Sequence, residues 1–291
     1  MRISRLATQI TSVALVCLTA SAGLGATRAA KPTGPTLAYW TFASRPDKTG
    51  TYVDSVHGLK ARVIQIGSGG SLQWESTDTP TMSGRKTSGA VQFAPAGTKS
   101  IDQQYVNGKG LVVQGLSLGA GPFTVEYYAK MALLDDRATN EVPMSYGSLT
   151  DFSSASTVFY LEHFFATQAA ASDPMTERIV QAGTVAYVPS PFLDGGWHHV
   201  AYEYDNVPGG KGSVVRIYVD RVLGATVQGP TRYAINGLLK IGFGVVKSKT
   251  PPNIAGVALP LDSIALFSGY MAQLRVSRGA LSPAQLLGAT H

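Results

Sequence analysis

The chain has 291 residues, of which 14% are charged and 44% hydrophobic, a balance that excludes a disordered polymer. Its formal charge is +6; setting aside Arg2, Arg5 and Arg28 leaves 21 basic against 18 acidic residues, with no dense Lys/Arg stripe, so nucleic acid is not an expected partner. Glycine supplies 32 residues, about 11% against a usual ~7%, without a Gly-X-Y period; this excludes collagen and points to many tight turns between short strands.

Residues 1–30 contain no acid. Arg2 and Arg5 form a positive start, Ser12 to Ala20 is apolar, and Ala20-Ser21-Ala22 and Leu24-Gly25-Ala26 both fit a cleavage site. This is the layout of a secretory signal peptide. The apolar run is too short to stay as a membrane span, and no later stretch reaches 18 apolar residues. The single cysteine, Cys17, lies in this leader, so the mature chain is expected to have neither disulfide nor thiolate metal site. A secreted or periplasmic location is expected, with residues 1–30 as signal and short linker and residues 31–291 as a single domain.

After the linker Lys31–Pro35, strand-type runs alternate with turns. Leu37–Phe42 and Gly89–Phe93 read as strands. Phe123–Lys130 alternates strongly, with Phe123, Val125, Tyr127 and Ala129 on one face. Leu133–Ser190 is the least regular part and reads as one or two strand pairs with long loops. Trp197–Tyr204 and Val214–Val219 flank the turn-rich Asp205–Gly212, a hairpin. Gly237–Gly242 and Gln273–Val276 are further strands. Ser282–Leu287 reads as a short helix, with Ser282 as N-cap and Pro283 in the first turn. No 20–50-residue repeat is visible, which argues against a propeller or solenoid.

Four stretches in this order resemble laminin-G-like domains of the concanavalin A-like lectin/glucanase superfamily. They are Ala38–Phe42 with Asp54–Gly58; Phe123–Lys130; Gly196–Ala201 with Ile217–Asp220; and Gly269–Leu286. The resemblance implies an all-β jelly-roll β-sandwich of two antiparallel sheets, with a short C-terminal helix and a cleaved N-terminal signal helix. Two positions depart from the pattern. Arg221 stands where such domains usually carry Gly, and Ala272-Gln273 stands where they usually carry acids.

The enzyme branch of this superfamily uses a Glu-x-Asp-x-x-Glu pattern, which is absent. The nearest approach, Glu203-Tyr-Asp205, meets Pro208 at the third position. Glu203 reads as a solvated strand residue and Asp205 as the start of a turn. Glu126 lies opposite the Tyr127 face and is expected on an exposed or ligand-facing surface. His198 and His199 are adjacent in a strand and cannot easily share one ion; one is expected buried and hydrogen-bonded, the other on the surface. Gly115-Leu-Ser-Leu-Gly119 matches a nucleophile-elbow spacing, but a strand rather than a helix follows, so it reads as a plain connection.

Calcium is the metal weighed, with Asp54 as first candidate ligand and Asp262 as second. For sugar binding, Trp74 among polar neighbours is the candidate stacking platform, with Tyr105, Tyr187 and Glu126 as further ligand-binding candidates; Trp40 and Trp197 read as core. The sequence therefore reads as a secreted, non-catalytic, lectin-like module for a glycan or an extracellular protein surface. A glycan hydrolase or lyase with an unfamiliar carboxylate site, and a structural surface protein, are the alternatives.

Overall fold

Alternation in the Phe123–Met131 strand sends Phe123, Val125, Tyr127, Ala129 and Met131 into the apolar core and leaves Thr124, Glu126, Tyr128 and Lys130 on the other face. The same rule builds the neighbouring strands. In His198–Asn206, Val200, Tyr202 and Tyr204 enter the core; in Ser213–Val219, Val215 and Ile217 do. The computed structural model describes residues 36–96, 107–118, 121–132, 140–147, 157–164, 176–181, 184–189, 194–206, 212–229, 237–245 and 264–288. The expected leader lies outside the described residues, as do Tyr105 and Asp262.

The chain is an all-β sandwich of two antiparallel sheets. Sheet one runs Val222–Gly229, Ser213–Val219, His198–Asn206, Phe123–Met131, Gly269–Arg278, Ala90–Ala94, Ser71–Glu75. Thr36–Trp40 pairs with the far half of Gly269–Arg278, end to end with Ala90–Ala94. Sheet two runs Thr184–Pro189, Thr176–Gln181, Thr157–Phe164, Asn140–Gly147, Leu238–Ile241, Gly108–Val113, Lys60–Ile66, Thr51–Val53. The irregular stretch from Leu133 thus contributes four consecutive antiparallel strands at one edge of this sheet. Trp40, Phe93, Leu111, Tyr146, Tyr202, Ile241 and Leu274 meet between the sheets. Trp40 is core, as its motif position suggests.

The hairpin expected around Asp205–Gly212 is present: His198–Asn206 pairs with Ser213–Val219 down to Asn206 opposite Ser213. Asp205 lies inside the first of these strands, opposite Val214, rather than opening the turn. The next hairpin turns through Asp220 and Arg221, both at positive φ (50° and 68°), as a type I′ turn requires. Arg221 therefore holds a conformation that favours glycine, and its guanidinium donates to the Gly288 carbonyl.

The outer face of sheet one is covered at one end. Leu281, Leu286 and Leu287 of the C-terminal strap pack on Ala201, Tyr218, Tyr128, Ala272 and Tyr39, joined by Val56 and Met82. The expected C-terminal helix is reduced to one 3₁₀ turn, Pro283–Gln285. Its backbone is claimed by the sheet: Gln285 O accepts from Arg275 at 2.6 Å, and Leu287 N–H donates to Glu126 at 2.7 Å. Those tertiary bonds outweigh a local helical turn.

Asp54 fixes the turn that feeds this cover. Its carboxylate accepts from the backbone N–H groups of Val56 (2.7 Å), His57 (3.1 Å), Leu59 (2.5 Å) and Tyr39 (3.3 Å), and it is buried. Asp54→Ala leaves these donors without an acceptor and is expected to cost about 2–4 kcal/mol, read as a fall in the urea unfolding midpoint with unchanged slope. A midpoint equal to wild type would show that the turn holds itself without the carboxylate.

Candidate functional site

Beyond the strap, the outer face of sheet one stays partly exposed among the described residues, and four strands set one residue each in a row across it. Lys130 stands opposite Tyr270, Tyr270 opposite Gln92, and Gln92 opposite Gln73. The reason is local. Lys130 lies between Ala129 and Met131, Gln92 between Val91 and Phe93, and Gln73 between Leu72 and Trp74. These apolar neighbours belong to the core or pack on it, so the residues between them face outward.

Two further side chains close the row. Trp197, just before the His198–Asn206 strand, sets its ring 6.2 Å from that of Tyr270, tilted by 59°. Asp78, in the loop after Ser71–Glu75, accepts from the Trp197 indole N–H at 2.9 Å and from Lys130 Nζ at 2.7 Å. The Lys130 ammonium lies 5.8 Å from the centre of the Tyr270 ring, and Gln92 donates to the Tyr270 hydroxyl at 3.0 Å. Burial works against the charge on Asp78, but the hydrogen bonds from Lys130 and Trp197 outweigh it and hold its pKa below the ordinary carboxylate value. The result is a half-buried aromatic pair beside two amides and a hydrogen-bonded ion pair. It offers a ring surface for apolar C–H groups and fixed donors and acceptors for hydroxyls.

Trp74 faces the other way. Its ring packs on the core, its indole N–H donates to Phe42 O at 2.9 Å, and the Arg45 guanidinium lies 5.5 Å from the ring centre. Trp197, read from sequence as core, is instead half-buried on the outer face. Tyr187 lies in Thr184–Pro189, the edge strand of sheet two, and so belongs to the other sheet. Tyr105 and Asp262 fall outside the described residues.

Glu126 shares the outer face with Lys130, about 13 Å along the same strand at ~3.3 Å per residue, but under the strap. It is fully buried, not exposed as expected. Its Oε1 accepts from Arg275 Nε at 2.5 Å; its Oε2 accepts from Leu287 N–H and from His199 Nε2 at 2.9 Å. Glu203, expected to be solvated, is buried and ion-paired with Arg216, which also reaches Asp205 at 3.4 Å. Glu126 lies under the strap, and Glu203 pairs with Arg216 directly opposite on the next strand. Alternation says which residues leave the core, but not whether another segment covers them.

The two histidines separate as their opposite faces demand. His199 is buried against Glu126 and Tyr128; His198 bridges Asp194 (2.9 Å) and Asp220 (2.8 Å). Desolvation lowers the His198 pKa, but the two carboxylates overcome it and leave the value above that of a free imidazole. A raised folded value means that the stabilisation is fully present below about pH 6.5 and is lost as pH rises through the folded pKa. Wild type should therefore lose unfolding midpoint on going from pH 6 to pH 8 relative to His198→Asn, measured in urea at both pH values; parallel midpoints in the two proteins would contradict this.

For calcium, the fit at Asp54 is poor. Both of its oxygens already accept backbone N–H groups, which a cation would have to displace. No cluster of three or more His, Cys, Asp or Glu side chains suited to a metal occurs among the described residues. Gly115 to Leu118 is a connection that buries Leu116 and Leu118 in the core. No helix among the described residues is long and apolar enough to cross a membrane.

No protein-family model and no curated protein matches the chain. Solved structures do. Trypanosoma rangeli sialidase in complex with the inhibitor DANA aligns over 87% of this chain and 32% of its own, at 13% identity and a TM-score of 0.51. The binding domain of botulinum neurotoxin DC in complex with SialylT aligns over 86% of this chain and 50% of its own, at 10% identity and a TM-score of 0.50. Domain 4 of an extracellular GH43 arabinanase from Geobacillus stearothermophilus, in complex with arabinotriose, aligns over 88% and 97%, at 15% identity and a TM-score of 0.49. The chain thus spans half of the toxin domain and about a third of the sialidase. At these identities the likeness is one of fold.

Proposed function

We propose that residues 31–291 form one extracytoplasmic, laminin-G-like module that binds carbohydrate without cleaving it, at the Trp197–Tyr270 patch. The observation that carries this reading is the half-buried aromatic pair set beside Gln92, Gln73 and the Lys130–Asp78 pair on the partly exposed end of sheet one. A sugar ring has an apolar face of C–H groups and a rim of hydroxyls, and this patch complements both. The signal-like leader supports export, and the ordered motifs support the laminin-G-like assignment. The fold alone decides little, since such sandwiches host many functions.

Binding rather than hydrolysis fits Glu126 and Glu203, while the Leu133–Ser190 loops weighed for a carboxylate site lie outside the described residues. A glycosidase needs two of them open to one cleft. Glu126 and Glu203 are buried and paired with Arg275 and Arg216. Calcium has no part in this reading, because Asp54 is occupied by its own turn.

The test is a polysaccharide array probed with purified protein, with calcium and again with chelator. Binding to a glycan class that survives chelation is expected. Tyr270→Ala and Trp197→Ala should each weaken it at least tenfold, about 1.4 kcal/mol, with the fold retained by circular dichroism. Retention in both variants would place the glycan site elsewhere. An empty array would shift the reading to a protein partner, for which exposed Val222 and Leu223 on the Asp220–Arg221 hairpin are the apolar pair to test.

A further inference from the structure

We infer that the patch selects uncharged glycans and turns anionic ones away, and that Asp78 is the residue that sets this selectivity. The inference rests on the reading of the patch as a glycan site. The row across sheet one contains a single cation, Lys130, between a tyrosine and the Gln92 and Gln73 amides. Left to itself, Lys130 would be an anchor for a carboxylate or sulfate on a sugar. It is not left to itself. Asp78 takes its ammonium at 2.7 Å, with the two side chains 26% and 39% exposed.

Asp78 is also held in place. The Trp197 indole N–H donates to its second oxygen at 2.9 Å, so the carboxylate cannot swing away from Lys130 without giving up that bond. Glu75, in the strand that precedes this loop, adds negative charge close enough to act on Asp78. Among the described residues, the charges that act on Asp78 are the Lys130 ammonium and the Glu75 carboxylate, a local balance of two carboxylates to one ammonium. An anionic sugar arriving there meets net repulsion, because the ammonium within reach is already neutralised by Asp78 and would have to be shared with it. A neutral sugar leaves that bond intact and uses the amides, the ring faces and the free lone pairs of Asp78 as hydroxyl partners. The overall positive charge of the chain draws polyanions in a non-specific way, so selectivity has to be measured where that attraction is screened, at about 150 mM salt.

The experiment compares laminarin, mannan and an arabinan oligosaccharide with sialyllactose, a heparin oligosaccharide and trigalacturonate. Wild type is expected to bind its best neutral probe at least tenfold more tightly than any anionic one. Asp78→Asn keeps an oxygen for the Trp197 indole but releases Lys130, and should move the ratio at least tenfold toward the anionic probes. Lys130→Gln on that background should abolish the shift, which separates a freed cation from a general loosening of the patch. Preference of wild type for an anionic probe, or a ratio unmoved by Asp78→Asn in a folded variant, overturns the inference while leaving the glycan site standing. Failure of every probe to bind wild type, or binding indifferent to Tyr270→Ala, overturns the site itself and the inference with it.

Discussion

Glu126→Ala is expected to cost about 3–5 kcal/mol, the usual loss when one partner of a buried ion pair is removed. Against a total of about 5–15 kcal/mol for a domain, that leaves little folded margin. The reason lies in what the carboxylate serves. Arg275 is 2% exposed and loses its counter-charge; Leu287 N–H and His199 Nε2 lose their acceptor. His199 Nδ1 is already buried without a hydrogen-bond partner among the described residues, so the imidazole has no second bond to fall back on. The strap then detaches from the sheet, and Tyr39, Tyr128 and Ala272 lose their cover. A urea titration should show the midpoint falling by about a fifth or more. Glu126→Gln keeps an acceptor for Leu287 and should lose less. Replacing both partners, as in Glu126→Leu with Arg275→Met, should recover much of the loss, since it leaves no orphaned charge. A Glu126→Ala midpoint within experimental error of wild type would mean that the strap is held by its leucines alone.

That cluster also shows where sequence reading reaches its limit. The strands were legible because they bury one face: Phe123–Met131 and His198–Asn206 alternate cleanly, and the hairpin after Asn206 announces itself in glycine and proline. Glu126 was legible only as pointing away from Tyr127. Its cover comes from Leu281–Leu287, more than 150 residues on, and no local pattern links the two. The C-terminal helix is present at the expected place but only as the 3₁₀ turn Pro283–Gln285, since Arg275 and Glu126 take the Gln285 carbonyl and the Leu287 amide.

The Trp197–Tyr270 patch was hidden by a related ambiguity. Trp197 and Tyr270 are aromatic residues in or beside apolar strands, where a core role is the usual one. Gln73, Gln92 and Lys130 carried a signal, each a polar residue between apolar neighbours, but one that marks any outward position. Only the strand order Phe123–Met131, Gly269–Arg278, Ala90–Ala94, Ser71–Glu75 sets them in a row. Trp74 looked exposed because its sequence neighbours are polar, yet those neighbours belong to the opposite face and to the following loop. The bulge at Gln273 was equally invisible. Its φ of 54° is unfavourable for a residue with a side chain, and its amide answers by accepting from the Tyr39 hydroxyl and donating to Thr41 O at 3.1 Å.

Gly242→Ala is the second substitution expected to be severe, at about 2–5 kcal/mol. Gly242 follows the Leu238–Ile241 strand, where the chain leaves sheet two to form the Phe243–Val245 pairing with Ile264–Leu266. It sits at φ +81°, and an added Cβ would lie 2.9 Å from Cζ of Phe93 and closer still to Cδ1 and Cε1. Phe93 is a core side chain from the opposite sheet, packed on Phe267 at 5.9 Å, and has no room to retreat. The backbone is fixed as well: Gly242 N–H donates to Pro143 O at 2.7 Å, and its carbonyl accepts from Phe267 N–H at 2.9 Å. Two costs therefore add, left-handed strain and collision, and they can be separated. Gly84 has nearly the same φ, +75°, with nothing within 4 Å of its added Cβ, so Gly84→Ala carries the strain alone, about 1 kcal/mol. The collision should appear as coupling with Phe93. In a Phe93→Leu background, Gly242→Ala should cost at least about 1 kcal/mol less than in wild type, by a double-mutant cycle in urea. If Gly242→Ala costs no more than Gly84→Ala, the ring yields freely, and the core at the junction of the two sheets is looser than its packing indicates.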